Sequence, residues 1–396
     1  MDLLTPISAD AVFSATSDQA AQMETLSNQA LLNGIDKYTK QDYKGAAQEF
    51  RRAFNLSPYS DYSVQAAKYL STSYQKLGDA GKAIDIYEQA VKLHPDNDEI
   101  QTDLGNLYFA EGRTGEAITA YETAVRIYDD ANNRFSLGQG YLKAGRYSDA
   151  ENQFNKVIRM DPSSANGYFG LGQTYSAQKK YPEAIKEFER SLQKKEDFYA
   201  AYAEMGYTYA DAGELDKARE MRDYLEVKDP SSYDTLKAYI NKVSQPRMLT
   251  AWATSSFQFY LPPKTDVAAL NDYLANANAS QTFTMQFQFD KAMDRDSVEN
   301  PTNWTIKRSS GNGPGTAYNN GLGIPDTEVR ISPIPTDVYY DEKYFTATVR
   351  FTITQNADAN GTLDPGHMEF SFKGMDADGN TMNPKYDQFM GVSGHF

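Results

Sequence analysis

The sequence predicts a two-part chain: an α-solenoid of six helical hairpins with a cap helix over residues 27–245, then an antiparallel β-sandwich over residues 246–396. Three observations predict it. Ala46, Ala83, Ala117, Ala150, Ala184 and Ala218 stand 37, 34, 33, 34 and 34 residues apart. After Val243, Leu, Lys and Glu thin out while Thr, Phe, Asn, Gly and Pro rise. Beyond that point apolar and polar side chains alternate, the signature of half-buried strands.

Each alanine brings companions. Four residues on stand Phe50, Tyr87, Tyr121, Phe154 and Phe188, with Arg222 in the last unit. Twelve residues before stand Gly34, Ser71, Gly105, Gly138, Gly172 and Gly206. Offsets of three, four and seven share one helical face. The small residues let the first helix of each hairpin approach the second, and the rings fill the remaining space. Pro58, Pro95, Pro162 and Pro230 end a second helix and turn the chain. No hairpin buries its face alone, so the units stack.

The units run 27–60, 64–97, 98–131, 131–164, 165–198 and 199–232. An insertion after Pro58 is expected to lengthen that loop. Residues 233–243 read as a solvating cap helix. Residues 1–26, biased toward Ser, Ala, Gln and Thr, read as a flexible arm.

The pattern closely resembles the tetratricopeptide (TPR) repeat family. The resemblance implies a protein-binding scaffold in which one face of each first helix lines a groove. The positions so implied in units three to five are Asn106, Phe109, Asn132, Phe135, Gln139, Asn166, Phe169 and Gln173. Carboxamides both donate to and accept from an extended backbone, and rings supply apolar anchors. Phe135 and Phe169 serve equally well as plain filling of the inner wall. The family's clamp for acidic C-termini needs Lys, Arg and Asn. Lys68 matches one place, but Thr72 replaces the asparagine and Glu99 and Asp103 stand where cations belong. A neutral extended segment is therefore the expected guest.

In the second part, alternation predicts strands at 256–260, 282–289, 327–331, 344–353 and 368–372. Lys264–Asn278 reads as an inserted helix and Ser309–Gly323 as a flexible Gly/Asn loop. The stretch Phe287–Val298, followed by Asn303-Trp304-Thr305-Ile306 and later by Asp376-Ala377-Asp378-Gly379-Asn380, resembles the bacterial immunoglobulin-like domains of surface-layer and adhesive proteins. Asn356, Asp358, Asn360 and Asp364 have the alternate spacing of a calcium loop, with glycine sixth. His367 stands in place of the bidentate glutamate, so a plain turn is the competing reading.

Charge and composition exclude other classes. The net charge is −15, with 11 Lys/Arg against 17 Asp/Glu after residue 246 and 28 against 37 before it. Phosphate binding needs clustered cations, so no nucleic-acid partner is expected. No apolar run reaches membrane-spanning length, and no membrane insertion is expected. There is no cysteine, hence no thiolate site or disulfide. His94, His367 and His395 fall in no catalytic or paired-metal motif. His94 reads as a helix C-terminal residue. The chain is expected to be no enzyme and, calcium apart, to carry no cofactor.

The expected function is a non-enzymatic scaffold of a bacterial surface or extracellular assembly. Its protein partners include copies of itself, joined head to tail as a homo-oligomer or filament. The alternative is a soluble, cytoplasmic adaptor or chaperone holding an extended neutral peptide. The immunoglobulin-like resemblance points outside the cell, although Met1–Thr25 has no leader pattern.

Overall fold

The computed structural model describes residues 9–253, 257–311 and 316–391, with side chains from Asp18 onward. The chain divides into two compact units at Tyr233/Asp234. The first holds six helix pairs: α1 (Ala9–Thr39) and α2 (Tyr43–Leu56), α3 (Asp61–Lys76) and α4 (Ala80–Leu93), α5 (Asp98–Ala110) and α6 (Thr114–Ile127), α7 (Ala131–Lys143) and α8 (Tyr147–Met160), α9 (Ala165–Ala177) and α10 (Tyr181–Lys194), α11 (Tyr199–Asp211) and α12 (Leu215–Lys228).

Small residues and rings interlock between neighbours. A Cβ built on Gly138 would lie 2.6 Å from the Phe154 ring, and one on Gly170 of the next hairpin would press on the same ring. Phe154 is fully buried between them. Tyr121 sits likewise against Gly105 at 2.6 Å and Gly140 at 3.2 Å. One ring thus welds its own hairpin and joins it to the following one. Ser71 takes the glycine's place in the second hairpin, and its buried Oγ has no hydrogen-bond partner.

Two expectations for this unit are corrected. The insertion after Pro58 does not lengthen the loop but extends α3, which has 16 residues against 13 in α5, α7, α9 and α11. Asp61 favours the positive end of that helix. Ser63 Oγ donates to Pro58 O at 2.7 Å, and His94 Nε2 lies 2.9 Å from the same carbonyl. The turn is therefore tied down. Residues 9–26, expected as part of a flexible arm, belong to α1. Its five alanines over residues 9–26, with Gln19, Gln22 and Met23, favour helix.

The division falls inside α13 (Pro230–Val243), the stretch read as a cap helix. Leu236 and Ile240 are its buried residues. Lys291 donates to the carbonyls of Asn241 at 2.6 Å and Ser244 at 3.0 Å, and Asn380 Nδ2 to that of Lys242 at 2.7 Å. These bonds cap the end of α13 from within the second unit.

That unit is β-rich. Its strands are β1 (Met248–Ala253), β2 (Thr265–Asp266), β3 (Ser280–Phe289), β4 (Trp304–Arg308), β5 (Asp337–Asp341), β6 (Thr346–Thr354), β7 (Thr362–Leu363), β8 (Met368–Phe372) and β9 (Gln388–Met390), with a short helix α14 (Arg295–Glu299). They form antiparallel sheets ordered β1-β3-β6-β5 and β4-β8-β9, and a β2-β7 pair. Rings of the larger sheet meet those of the three-stranded one: Phe287 to Phe370 at 5.5 Å and Phe289 to Phe372 at 5.4 Å. Trp304 lies 4.7 Å from Phe372, and its indole donates to Val298 O at 2.9 Å.

Three further expectations change here. Phe257–Tyr260 is no strand; Phe257 buries its ring edge-on to Phe351 at 5.0 Å from irregular backbone, and Ser256 lies outside the described residues. Segment 327–331 makes only isolated bridges, Glu328 to Thr362 and Ile331 to Ile353. The expected helix at Lys264–Asn278 is two 3-10 turns, because Asp266 and Asn271 each accept from a backbone N–H two residues on and restart the chain. In Ser309–Gly323, residues 312–315 lie outside the described residues. Asn319 beyond them is held by its N–H on Asp364 Oδ2 (2.6 Å) and its Nδ2 on Gly323 O (2.6 Å).

Candidate partner-binding groove

The eight residues expected to line a groove come from three successive first helices: Asn106 and Phe109 from α5, Asn132, Phe135 and Gln139 from α7, and Asn166, Phe169 and Gln173 from α9. The repeat places equivalent side chains side by side. Gln139 Nε2 donates to Gln173 Oε1 at 2.9 Å, and Gln173 Nε2 donates to Glu204 Oε1 at 3.1 Å. This ladder crosses three hairpins. Asn106 Oδ1 accepts from Tyr121 OH at 2.8 Å. The ladder occupies one amide group of Gln139 and two of Gln173, which leaves less for a guest than the sequence suggested.

Asn132 and Asn166 differ. Both are exposed, and their carboxamides make no hydrogen bond among the described residues. Asn133, beside Asn132, is buried and structural. It accepts from Thr102 at 2.8 Å and donates to Asp98 Oδ2 at 2.7 Å and Tyr128 O at 2.9 Å. Sequence spacing alone gave no sign of this division of labour between two adjacent asparagines.

The rings divide too. Phe169 is buried, 6.0 Å from Phe188 and 4.8 Å from Phe198, and so fills the wall. Phe135 packs on Phe154 at 5.6 Å yet stays half-buried, as does Phe109.

The electrostatics of this unit are acidic. Lys68 is ion-paired with Glu99, so the lysine of the would-be acidic clamp is already neutralised. Asp103 is pushed above the usual carboxylate range, chiefly by burial, with the Tyr87 hydroxyl bond and Lys68 opposing. Glu204 is raised by burial against the Gln173 bond alone. Sequence spacing missed Glu204, because it sits at a position outside the groove set.

The loop with calcium-like spacing is self-contained. Asn356 Nδ2 donates to Asn360 Oδ1 at 2.7 Å, and Asn360 N donates to Asn356 Oδ1 at 3.1 Å. Asp358 is exposed. Asp364 is buried and turned to Asn319 N and to His367, whose Nδ1 lies 2.8 Å from Oδ2. A carboxylate only accepts, so Nδ1 carries the proton. Gln355 Oε1 closes the turn by accepting from the N–H groups of Asn356 and Gly361, both at 2.9 Å. No group of three or more metal-ligating His, Cys, Asp or Glu occurs among the described residues. His94 is the C-cap of α4, and His395 lies outside the described residues. No helix among the described residues is long and apolar enough to cross a membrane.

Residues 70–132 and 135–197, within hairpins two to five, match the tetratricopeptide repeat family model, so this stretch consists of TPR repeats, a fold whose family mediates protein–protein interaction. No curated protein matches the sequence. Among solved structures, a tetratricopeptide repeat protein from Parabacteroides merdae is similar at 19% identity, covering 55% of this chain and 86% of that one, with a TM-score of 0.49. PilW, a type IV pilus biogenesis factor, is similar at 19% identity over 53% of this chain and 98% of its own, with a TM-score of 0.45. The pilF protein of Pseudomonas aeruginosa is similar at 16% identity over 55% and 99%, with a TM-score of 0.42.

Proposed function

We propose that the protein is a non-enzymatic adaptor whose TPR groove holds an extended, uncharged segment of a partner protein. The observation that carries this is the pair Asn132 and Asn166, exposed at equivalent positions of successive hairpins with unspent carboxamides. Each can donate to and accept from a peptide backbone, and half-buried Phe109 and Phe135 add apolar area beside them. Lys68 bound to Glu99 and the half-buried carboxylates of Asp103 and Glu204 disfavour an acidic guest. The test is an array of extended peptides of about 12 residues, in acidic and uncharged sets. Uncharged peptides should be retained, and Asn132→Ala with Asn166→Ala should weaken them roughly tenfold or more with helical circular dichroism unchanged. Preferential binding of acidic peptides, or unchanged binding by the double variant, overturns the reading.

A second reading is self-assembly at the cell surface, the setting that the immunoglobulin-like resemblance implies. Met23, Leu26 and Leu32 on α1 and Tyr224 and Val227 on α12 are exposed apolar side chains near opposite ends of the helical array, Val227 at 85%. Apolar patches on different faces suit a head-to-tail contact. Leu26→Asp with Val227→Asp should then abolish any assembly seen by light scattering and electron microscopy. A wild-type chain that stays monomeric at high concentration refutes this reading.

Asn356, Asp358, Asn360 and Asp364 are read as a plain turn, since Asn356 and Asn360 bond to each other, Asp364 bonds to Asn319 and His367, and Asp358 stands exposed. Calcium followed by a chelator should leave the melting temperature unmoved; a calcium-dependent rise would restore the metal reading.

A further inference from the structure

We propose that a cavity in the β-rich unit is a binding site for an amphipathic carboxylate, one carboxylate on an aliphatic or aromatic body. The cavity has a volume of about 510 Å³, within the range of small-ligand pockets. Its apolar lining is Ile306 of β4, Val329, Leu363 of β7 and Met368 of β8, all buried. The size and lining suit a chain or ring rather than ordered water alone.

The polar side of the cavity is built around Arg308. Its Nε donates to Glu328 Oε1 at 2.7 Å, and its guanidinium carbon lies 5.6 Å from the centre of the Tyr318 ring. Tyr318 OH donates to the same Glu328 oxygen at 3.0 Å and accepts from Asp364 N at 3.3 Å. The Glu328 side chain is 4% exposed, whereas that of Arg308 is 47% exposed. A buried, doubly bonded carboxylate therefore orients a guanidinium whose two terminal nitrogens make no hydrogen bond among the described residues and can serve a ligand. A guanidinium fork fits a carboxylate in bidentate geometry, and because it is already oriented, little freedom is lost on binding.

Charge agrees. Lys307, Arg308 and Arg330 all line this cavity, three of the 11 Lys/Arg after residue 246 in a segment that is net acidic. Glu328 offsets Arg308, and Glu369 pairs with Lys307 at 2.9 Å. Arg330 leaves the site net positive by one, which suits a monoanion.

A free organic acid and an apolar C-terminal residue of a peptide both present this chemistry. The test uses the full chain and titrates octanoate, octanamide, a tripeptide ending in leucine carboxylate, and the same tripeptide amidated, by calorimetry. Octanoate or the free-acid peptide should bind at least roughly tenfold more tightly than its amide, and the tighter acid identifies the source. Arg308→Gln should abolish that preference. Because it strands Glu328, the double variant Arg308→Gln, Glu328→Gln is measured alongside and should lose the preference while melting as the wild type does. Ile331→Trp, from the half-buried rim, should block both acids. Equal affinity for acid and amide, no binding by either acid, or an undiminished preference in the double variant overturns the proposal.

Discussion

The helical array and the β-rich unit solve one problem, burying aromatic side chains, in opposite ways. In the array each ring belongs to a hairpin and is clasped by small residues of that hairpin and the next, as Phe154 is by Gly138 and Gly170. Its core is a chain of nearest-neighbour contacts. In the β-rich unit Phe287, Phe289, Phe351, Phe370, Phe372 and Trp304 form one cluster drawn from strands far apart in sequence. Damage should therefore stay local in the first unit and spread through the second.

The sharpest break of that contrast is at Lys291. Its ammonium bonds Asp376 Oδ2 at 2.6 Å besides the carbonyls of Asn241 and Ser244, and the Asp376 side chain is fully buried. Burial alone would raise the Asp376 carboxyl, yet Lys291 and the Asn380 donors outweigh it and hold it below the usual range. Lys291→Met removes the only cation paired with this carboxylate among the described residues and leaves it to neutral donors, and loss of one partner of a buried pair costs about 3–5 kcal/mol. Chemical denaturation should show that loss. Hydrogen exchange should rise across β1, β3, β6 and β8 together. Faster exchange confined to the 376–380 turn would contradict a single cooperative core.

Next comes the small-residue clasp. Gly170→Ala forces a Cβ onto a ring already braced by Gly138, so the ring cannot retreat. Overpacking costs typically about 1–3 kcal/mol, set against about 1 kcal/mol gained in helix propensity. A net loss of about 1 kcal/mol is expected, with faster exchange in α7 to α10 only. Gly115→Ala is the control: nothing lies within 4 Å of its Cβ position, so the melting temperature should rise. If both changes stabilise, the clasp is not tight.

The same contrast explains what could be read in advance. Hairpin boundaries were legible because the contacts that set them recur locally at helical spacing. A second periodic signal is fainter: the turn between the helices of each hairpin takes a positive φ at Gly78, Gly112, Gly145 and Gly213, and at Gln41 and Lys179 in the other two. Non-glycine residues in two of six places hid it. In the β-rich unit, β3, β6 and β8 alternate cleanly and were found. β1, β5 and β9, at or near sheet edges, were not. The expected groove positions rest on the repeat alone, and the repeat does not say which amides are free. Gln173 is committed by partners 34 residues before and 31 after it, and only the stacking of hairpins creates those contacts.

The smallest effect tests that last point. Glu204 ends the amide ladder as a carboxylate raised by burial. Between its unfolded and folded pKa the folded chain holds more protons, so its contribution to stability falls as pH rises through that window and stays lost above it. Glu204→Gln removes the charge and keeps a carbonyl that can accept from Gln173. The variant should be more stable at neutral pH by up to about 1 kcal/mol, roughly 2–4 °C for a unit of this size. Its advantage should shrink as pH drops toward the ordinary glutamate range. A variant less stable than the wild type at neutral pH would mean that the ionised carboxylate, rather than the amide pair, holds hairpins five and six together.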